Sequence, residues 1–305
     1  MAPPWWLWIP ITIAAAGAQT LRNATQRHLS TDLGTLGATL VRFLYGLPFA
    51  TLWLLAVTQV GNYKLPTVDY AFTGWLVLGA LSQIAGTALL LRTMRDRNFT
   101  LGVAYSKSEV MQVAVFAFAF LGDPLASTTV AAVVLGTLGV MLLTPVDRQH
   151  PVRTLISGLT TRPALLGLAS GCSFAFSAVG YRGAALALDA PFLMAAAFTL
   201  LGAQLLQTIV MCIYLRITRP GLLTRVLRAW RTSLLAGFSG AAASAGWFTA
   251  MAIEPVAHVR TLALIELVFS YVISRRIFRE QFGRLQVVGL VVLVAGLFMV
   301  TLGPR

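Results

Sequence analysis

Apolar stretches of roughly 17 to 25 residues, long enough to cross a bilayer, recur along the whole chain, and short polar or charged connections separate them. The pattern predicts helices over 4–21, 34–58, 70–91, 100–121, 125–145, 163–181, 190–215, 233–253, 257–274 and 285–302. Only 146–162 and 216–232 are long enough to form substantial loops, and Pro145, Pro151 and Pro163 punctuate the first of them. The first run has no basic residue ahead of it and no convincing cleavage site, so it reads as a membrane span and not as a signal peptide. The ten spans divide five and five.

The division is repeated in detail. Glu109 is followed by an apolar run from Val110 to Leu121, then Asp123, then a run containing Gly139. At a constant spacing of 157 positions, Glu266, Glu280 and Gly296 occupy the same places. The expected fold is an all-α integral membrane protein, with a first five-helix repeat over 1–146, a connecting loop over 147–162 and a second repeat over 163–305. An odd number of spans per repeat turns the second upside down relative to the first, the inverted-repeat design of many secondary transporters.

Composition supports a membrane location. With 57% hydrophobic and 11% charged residues over 305 positions and a mean hydropathy of +0.79, the apolar surface exceeds what a water-soluble core of this size can hide. A net charge of +13 would suggest nucleic acid in a soluble protein. Here 21 Arg and 2 Lys are scattered between apolar runs, and no basic-aromatic patch forms, so the charge reads as topology and lipid-headgroup contact. Cys172 and Cys212 lie inside spans, which gives no disulfide framework. His28, His150 and His258 are isolated and lack metal-ligand spacing. No cofactor is expected.

Loop charges provide a separate indication of the inversion. The loop after the second helix has Lys64 alone, whereas its counterpart after the seventh has Arg216, Arg219, Arg225, Arg228 and Arg231. The third loop carries Arg92, Arg95 and Arg97 against Arg260 in the eighth, and the ninth carries Arg275, Arg276, Arg279 and Arg284 against none in the fourth. Odd-numbered loops hold 17 Lys/Arg, and even-numbered loops with the C-terminus hold 4. By the positive-inside rule, odd loops are cytoplasmic and both termini outside.

These paired halves resemble EamA-type transporters of the drug/metabolite transporter superfamily. The likeness rests on Leu121-Gly122-Asp123 and Phe278-Arg279-Glu280 at the closing position after an apolar run, on the glycine-bearing helices that follow, and on Arg42-Phe43 in the second helix. Val110 and Leu267 stand where the family often has proline, which predicts straighter fourth and ninth helices, and Asp123 replaces a glutamate. The resemblance implies a multi-pass carrier of the bacterial inner membrane, often an exporter of amino acids or other small metabolites. It also implies two cytoplasmic termini, opposite to what the loop charges indicate.

Charges inside spans are costly, so they mark candidate sites. Arg42, Lys107, Glu109 and Glu266 stand out. Helical spacing places Tyr105, Glu109, Gln112 and Phe116 on one face and turns Lys107 elsewhere. Glu109 is thus expected either to work as a proton carrier in a low-dielectric cavity or to pair with Arg42 or Lys107 as packing. With no acidic residue on its own helical face, Lys107 is the candidate for an anionic substrate group. Small and polar stripes mark further inward faces: Thr12, Ala15 and Gln19; Gly79, Ser82, Gln83 and Gly86; Gly167, Ser170, Gly171, Phe174 and Tyr181; and Gly237, Gly240, Ser244 and Phe248, with Trp247 beside them. Asp123 and Glu280 read as helix-closing residues, Trp5, Trp6 and Trp8 as interface anchors, and the fifth and tenth helices as packing elements.

The expected function is secondary transport of a small polar metabolite, such as a zwitterionic amino acid, by alternating access, with protons as the coupling ion and with lipids, but no nucleic acid, as further partners. The carrier would be a monomer or homodimer. A channel or non-transporting scaffold is the alternative. An enzyme is disfavoured, because no His, Asp, Ser or Cys cluster gathers at an interface.

Overall fold

A computed structural model of the protein describes residues 4–96, 106–123, 127–143, 162–276 and 284–302. Among these residues the chain forms twelve helices and no strand: α1 (Trp8–Leu44), α2 (Leu47–Gly61), α3 (Tyr70–Asp96), α4 (Glu109–Leu121), α5 (Ser127–Leu143), α6 (Arg162–Leu186), α7 (Phe192–Thr218), α8 (Leu222–Arg228), α9 (Trp230–Ile253), α10 (Val256–Leu262), α11 (Ile265–Arg276) and α12 (Arg284–Leu302). Helices are the expected outcome, since each satisfies its own backbone polar groups without water. By length and composition, three stretches are long and apolar enough to span a membrane: Trp8–Gly61, Tyr70–Thr93 and Phe192–Thr218. The others are shorter or carry more polar side chains. Residues 147–161 of the expected connection and Glu280 lie outside the described residues.

Several boundaries differ from the sequence pattern. The expected connection after residue 21 is helical, and α1 bends only at Gly34, whose φ of 70° and ψ of 175° suit glycine almost alone. Its polar residues stay helical because they find partners inside. Thr20 and Thr25 donate to the carbonyls four residues earlier, and buried Gln26 donates from Nε2 to Ala38 O at 2.8 Å across the bend.

The expected second helix is interrupted at Tyr45-Gly46, with Pro48 opening α2. The break is held by close backbone packing: a Cβ on Gly237 of α9 would sit 2.4 Å from the Tyr45 carbonyl.

The expected ninth helix is two, α10 and α11, separated by a turn at Ala263-Leu264; a turn at Lys107-Ser108 likewise precedes α4. The missing prolines predicted continuity here, and the structure contradicts it. Short bonds replace the helical ones, with Val110 N donating to Lys107 O, Glu266 N to Ala263 O and Leu267 N to Leu264 O at 2.9 to 3.1 Å. Each new helix then opens with a glutamate in its first turn, where the helix dipole favours negative charge.

Small residues bring the helices together, as expected where lipid is as apolar as leucine. A Cβ on Gly180 of α6 would lie 2.7 Å from the Gly79 nitrogen of α3, and Gly183 faces the Trp75 ring. Gly246 of α9 meets Ala15 of α1, and Gly296 of α12 meets Gly136 of α5. Outward faces carry large apolar side chains such as Phe118, Leu205 and Ile213.

Candidate functional site

The inward faces of α1, α3, α6, α9, α10 and α11, with the turn before α4, converge on one cavity. It is lined by Gln19, Arg22, Asn23, Arg42, Gln83, Leu90, Ser106, Lys107, Glu109, Phe174, Trp247, Arg260 and Glu266. Its volume is about 20 Å³, room for about one water molecule.

The two glutamates are bonded unequally. Glu266 accepts from three donors: Lys107 Nζ at 2.5 Å and Gln19 Nε2 at 2.7 Å on Oε2, and Asn23 Nδ2 at 2.8 Å on Oε1. Gln19 is itself oriented by the Trp247 indole, which donates to Gln19 Oε1 at 2.9 Å, and Arg22 Nη2 donates to Asn23 Oδ1 at 2.8 Å. Glu109 is held more loosely. Arg260 Nη1 lies 3.1 Å from Glu109 Oε1, a contact of opposite charges without hydrogen-bond alignment. Each ion pair therefore joins residues from opposite halves of the chain.

Arg42 Nη1 donates to Thr87 Oγ1 at 3.1 Å, and the Arg260 guanidinium stands 5.3 Å from the centre of the Trp247 ring. Beside the cavity, Gln207 donates to both Gln83 Oε1 and Tyr181 Oη at 2.8 Å, and Tyr181 donates to Gln83 Oε1 at 2.9 Å. This triad ties α3, α6 and α7 into one rigid wall. Tyr181 also packs against Phe248 of α9, the ring centres 4.4 Å apart and the planes tilted by 34°.

Polar contacts tie the helices together on both sides of the cavity. On the side of the even-numbered connections, the Arg182 guanidinium pairs with Asp123 at 3.0 Å and donates to Met251 O and Glu254 O at 2.5 and 2.7 Å. Val256 N donates to Asp123 Oδ2 at 3.3 Å. His258 adds a bridge, its Nδ1 2.7 Å from Glu254 Oε1 and its Nε2 2.8 Å from Thr129 Oγ1. On the opposite side, Arg225 of α8 donates to Asp32 O, and Tyr45 Oη donates to the carbonyls of Val226 and Leu227 at 3.1 and 3.2 Å.

Of the residues singled out from the sequence, Gln19, Arg42, Gln83, Lys107, Glu109, Trp247 and Glu266 line the cavity. Tyr181 stands behind Gln83, and Ser244 is buried on α9 without lining the cavity. Gln112 turns away, bonding Ser108 Oγ at 3.2 Å, and Tyr105 lies outside the described residues. Two expectations are corrected. Lys107 is engaged by Glu266 across the halves, because the turn at Lys107-Ser108 redirects it from its own helix's face. Glu109 faces Arg260 and neither Arg42 nor Lys107.

Sequence reasoning missed Arg22, Asn23 and Arg260 as site residues, since each read as a connection between spans. A signal for the first two was present: Gln19, Arg22, Asn23 and Gln26 continue the helical spacing of the first span.

An apolar groove of about 600 Å³ between α1, α2, α7 and α9, with Trp53 and Phe238 on its walls, has no charged side chain on its lining. Its lining is apolar apart from the Trp53 indole and the Thr249 hydroxyl.

Apolar helices around a small, buried charged cavity point to a multi-pass membrane protein with a polar centre. Residues 161–302 match the model of the EamA-like transporter family. The second half of the chain is thus similar to that family, and the resemblance read from the sequence is borne out there. Members of that family are transporters and not enzymes. A solved crystal structure aligns over 99% of this chain and 98% of its own length, with a TM-score of 0.66 at 14% identity. At that identity the likeness concerns the fold alone, but it extends over both halves. No curated protein matches the chain.

Proposed function

We propose that the protein is a secondary active transporter that carries a small polar solute by alternating access. Its ten spans form two inverted five-helix halves, 1–146 and 163–305, joined by 147–162. The observation that carries this reading is the pair of reciprocal contacts, Lys107 with Glu266 and Arg260 with Glu109, each linking the two halves inside a buried cavity. A rocking motion between halves must rearrange both contacts, so solute binding and opening are coupled through them. The burial of the charged lining supports a carrier over a channel, which needs a continuous path.

The inverted arrangement draws support from packing. The α3–α6 and α1–α9 pairs exchange places under the 157-residue spacing, and the α5–α12 pair maps onto itself. The interrupted helices ahead of Glu109 and Glu266 fit the discontinuous helices of inverted-repeat carriers. Glu109, held by one misaligned contact where Glu266 has three hydrogen bonds, is the group free to change partners and to take a proton. We assign it the coupling role, in a carrier of the bacterial inner membrane that exports its solute against protons.

The test compares small metabolites inside and outside cells overproducing the wild type or Glu109→Gln at matched membrane levels. A few compounds should shift only with the wild type, and Glu109→Gln should insert normally while losing pH-dependent transport. Unchanged pH dependence in the variant would remove the coupling role, and no shift with either protein would count against transport.

A further inference from the structure

We infer that the transported solute is an anion, its negative group held between Arg22 and Arg42. This rests on the carrier reading above and narrows its cargo from any small polar metabolite to carboxylates or phosphates. The charge balance of the cavity carries the inference. Four cations line it, Arg22, Arg42, Lys107 and Arg260, against two carboxylates, Glu109 and Glu266. Lys107 and Arg260 are matched by the carboxylates. Arg22 and Arg42 are each 3% exposed and bond only to neutral partners, Asn23 and Thr87. Arg22 Nε and Nη1 have no hydrogen-bond partner at all.

The two side chains also run side by side. A Cβ placed on Gly240 would lie 3.3 Å from Arg22 Cδ and 3.3 Å from Arg42 Cγ, so both stems pass the one residue of α9 that leaves them room. Two buried guanidiniums close together, neither of them in an ion pair of its own, repel each other and remain poorly solvated. Their planar donor forks match a carboxylate or phosphate, and an anion seated between them would satisfy the donors and the charge together. A zwitterion would bring its own ammonium into a cavity that already has a surplus of positive charge.

Thermal unfolding of the purified full-length protein in phosphatidylcholine nanodiscs tests this without requiring transport. The probes are succinate, glutamate and inorganic phosphate against leucine and putrescine, at matched ionic strength. A ligand that binds only the folded state raises Tm with concentration. At least one of the three anions should do so, and leucine and putrescine should not. Arg22→Gln should weaken that anion about 30-fold or more, the scale for losing one partner of a buried charge contact. Gly240→Ala, which keeps both charges but crowds both stems, should weaken it by a smaller factor.

Stabilisation by leucine or putrescine alone, by none of the anions, or undiminished in both variants would overturn the inference and leave the carrier reading standing. The same holds for stabilisation by phosphatidylglycerol nanodiscs in place of any soluble anion, if Arg22→Gln abolishes it, since the guest would then be a lipid headgroup. Anion binding in a protein that shifts no metabolite in cells would instead keep the anion site and remove the carrier.

Discussion

Lys107 and Glu266 show what a buried charge does at the scale of one residue. Both are almost fully enclosed, with 7% and 1% exposure, so each depends on the other for the charge compensation that water would otherwise give. Removing either one leaves an uncompensated buried charge, which costs about 3 to 5 kcal/mol, whereas removing both at once costs much less. Lys107→Gln and Glu266→Gln should each lower Tm strongly in detergent, and the double variant should recover most of the loss. Additive losses in this double-mutant cycle would mean that the two residues do not interact. Glu109 carries a different expectation. Its single misaligned contact makes it a weak structural tie, so Glu109→Gln should unfold at a Tm closer to the wild type than Glu266→Gln does.

At the scale of elements, glycine decides how near two helices come. The α3–α6 pair closes at Gly79 and Gly180, where a new Cβ would meet backbone that cannot rotate away. Gly180→Ala should therefore force the helices apart and cost about 1 to 3 kcal/mol as overpacking, read as a lower Tm and poorer yield of monodisperse protein. Gly74, on the same helix α3, has nothing within 4 Å of its would-be Cβ. Gly74→Ala should stay within about 0.5 kcal/mol of the wild type. A Gly74→Ala loss as large as that of Gly180→Ala would show that helix flexibility, and not close approach, is what the glycines supply.

For the whole molecule, the prediction concerns which side each end faces. The structure buries Arg22, Arg182 and Arg260, three residues that the loop count had placed in water. Taking Arg22 from the 17 and Arg182 and Arg260 from the 4 leaves 16 against 2, a sharper asymmetry than before. A C-terminal alkaline phosphatase fusion should be active and a C-terminal fluorescent-protein fusion dark, since both termini are then outside. The reverse pattern would give the protein the orientation implied by the family resemblance. The contacts at the even-numbered connections make a second expectation. Arg182→Gln removes the ion pair with Asp123 and the donors to Met251 O and Glu254 O, so a cysteine placed at Ser106, in a background lacking Cys172 and Cys212, should react faster with a membrane-impermeant maleimide from that side. An unchanged rate would mean the arginine ties the ends together without sealing them.

The apolar pattern alone was enough to give membrane residence, an all-helical chain and the approximate position of most helices, because burial in lipid is a local demand that every span meets for itself. Seven of the eleven proposed site residues line the cavity for a related reason: polar side chains in spans must turn inward. Pairing is another matter. Lys107 and Glu266 are 159 positions apart, and no spacing rule acts over that distance. Arg22 and Arg260 looked like loop charges because an arginine between apolar runs reads the same whether it faces water or a cavity. Only the tertiary structure, through the bend held off until Gly34 and the turn at Ala263-Leu264, decided that these arginines point inward. The surplus of positive charge in the cavity is therefore a property of the folded molecule, which sets which charges lose their water and which of them find a partner.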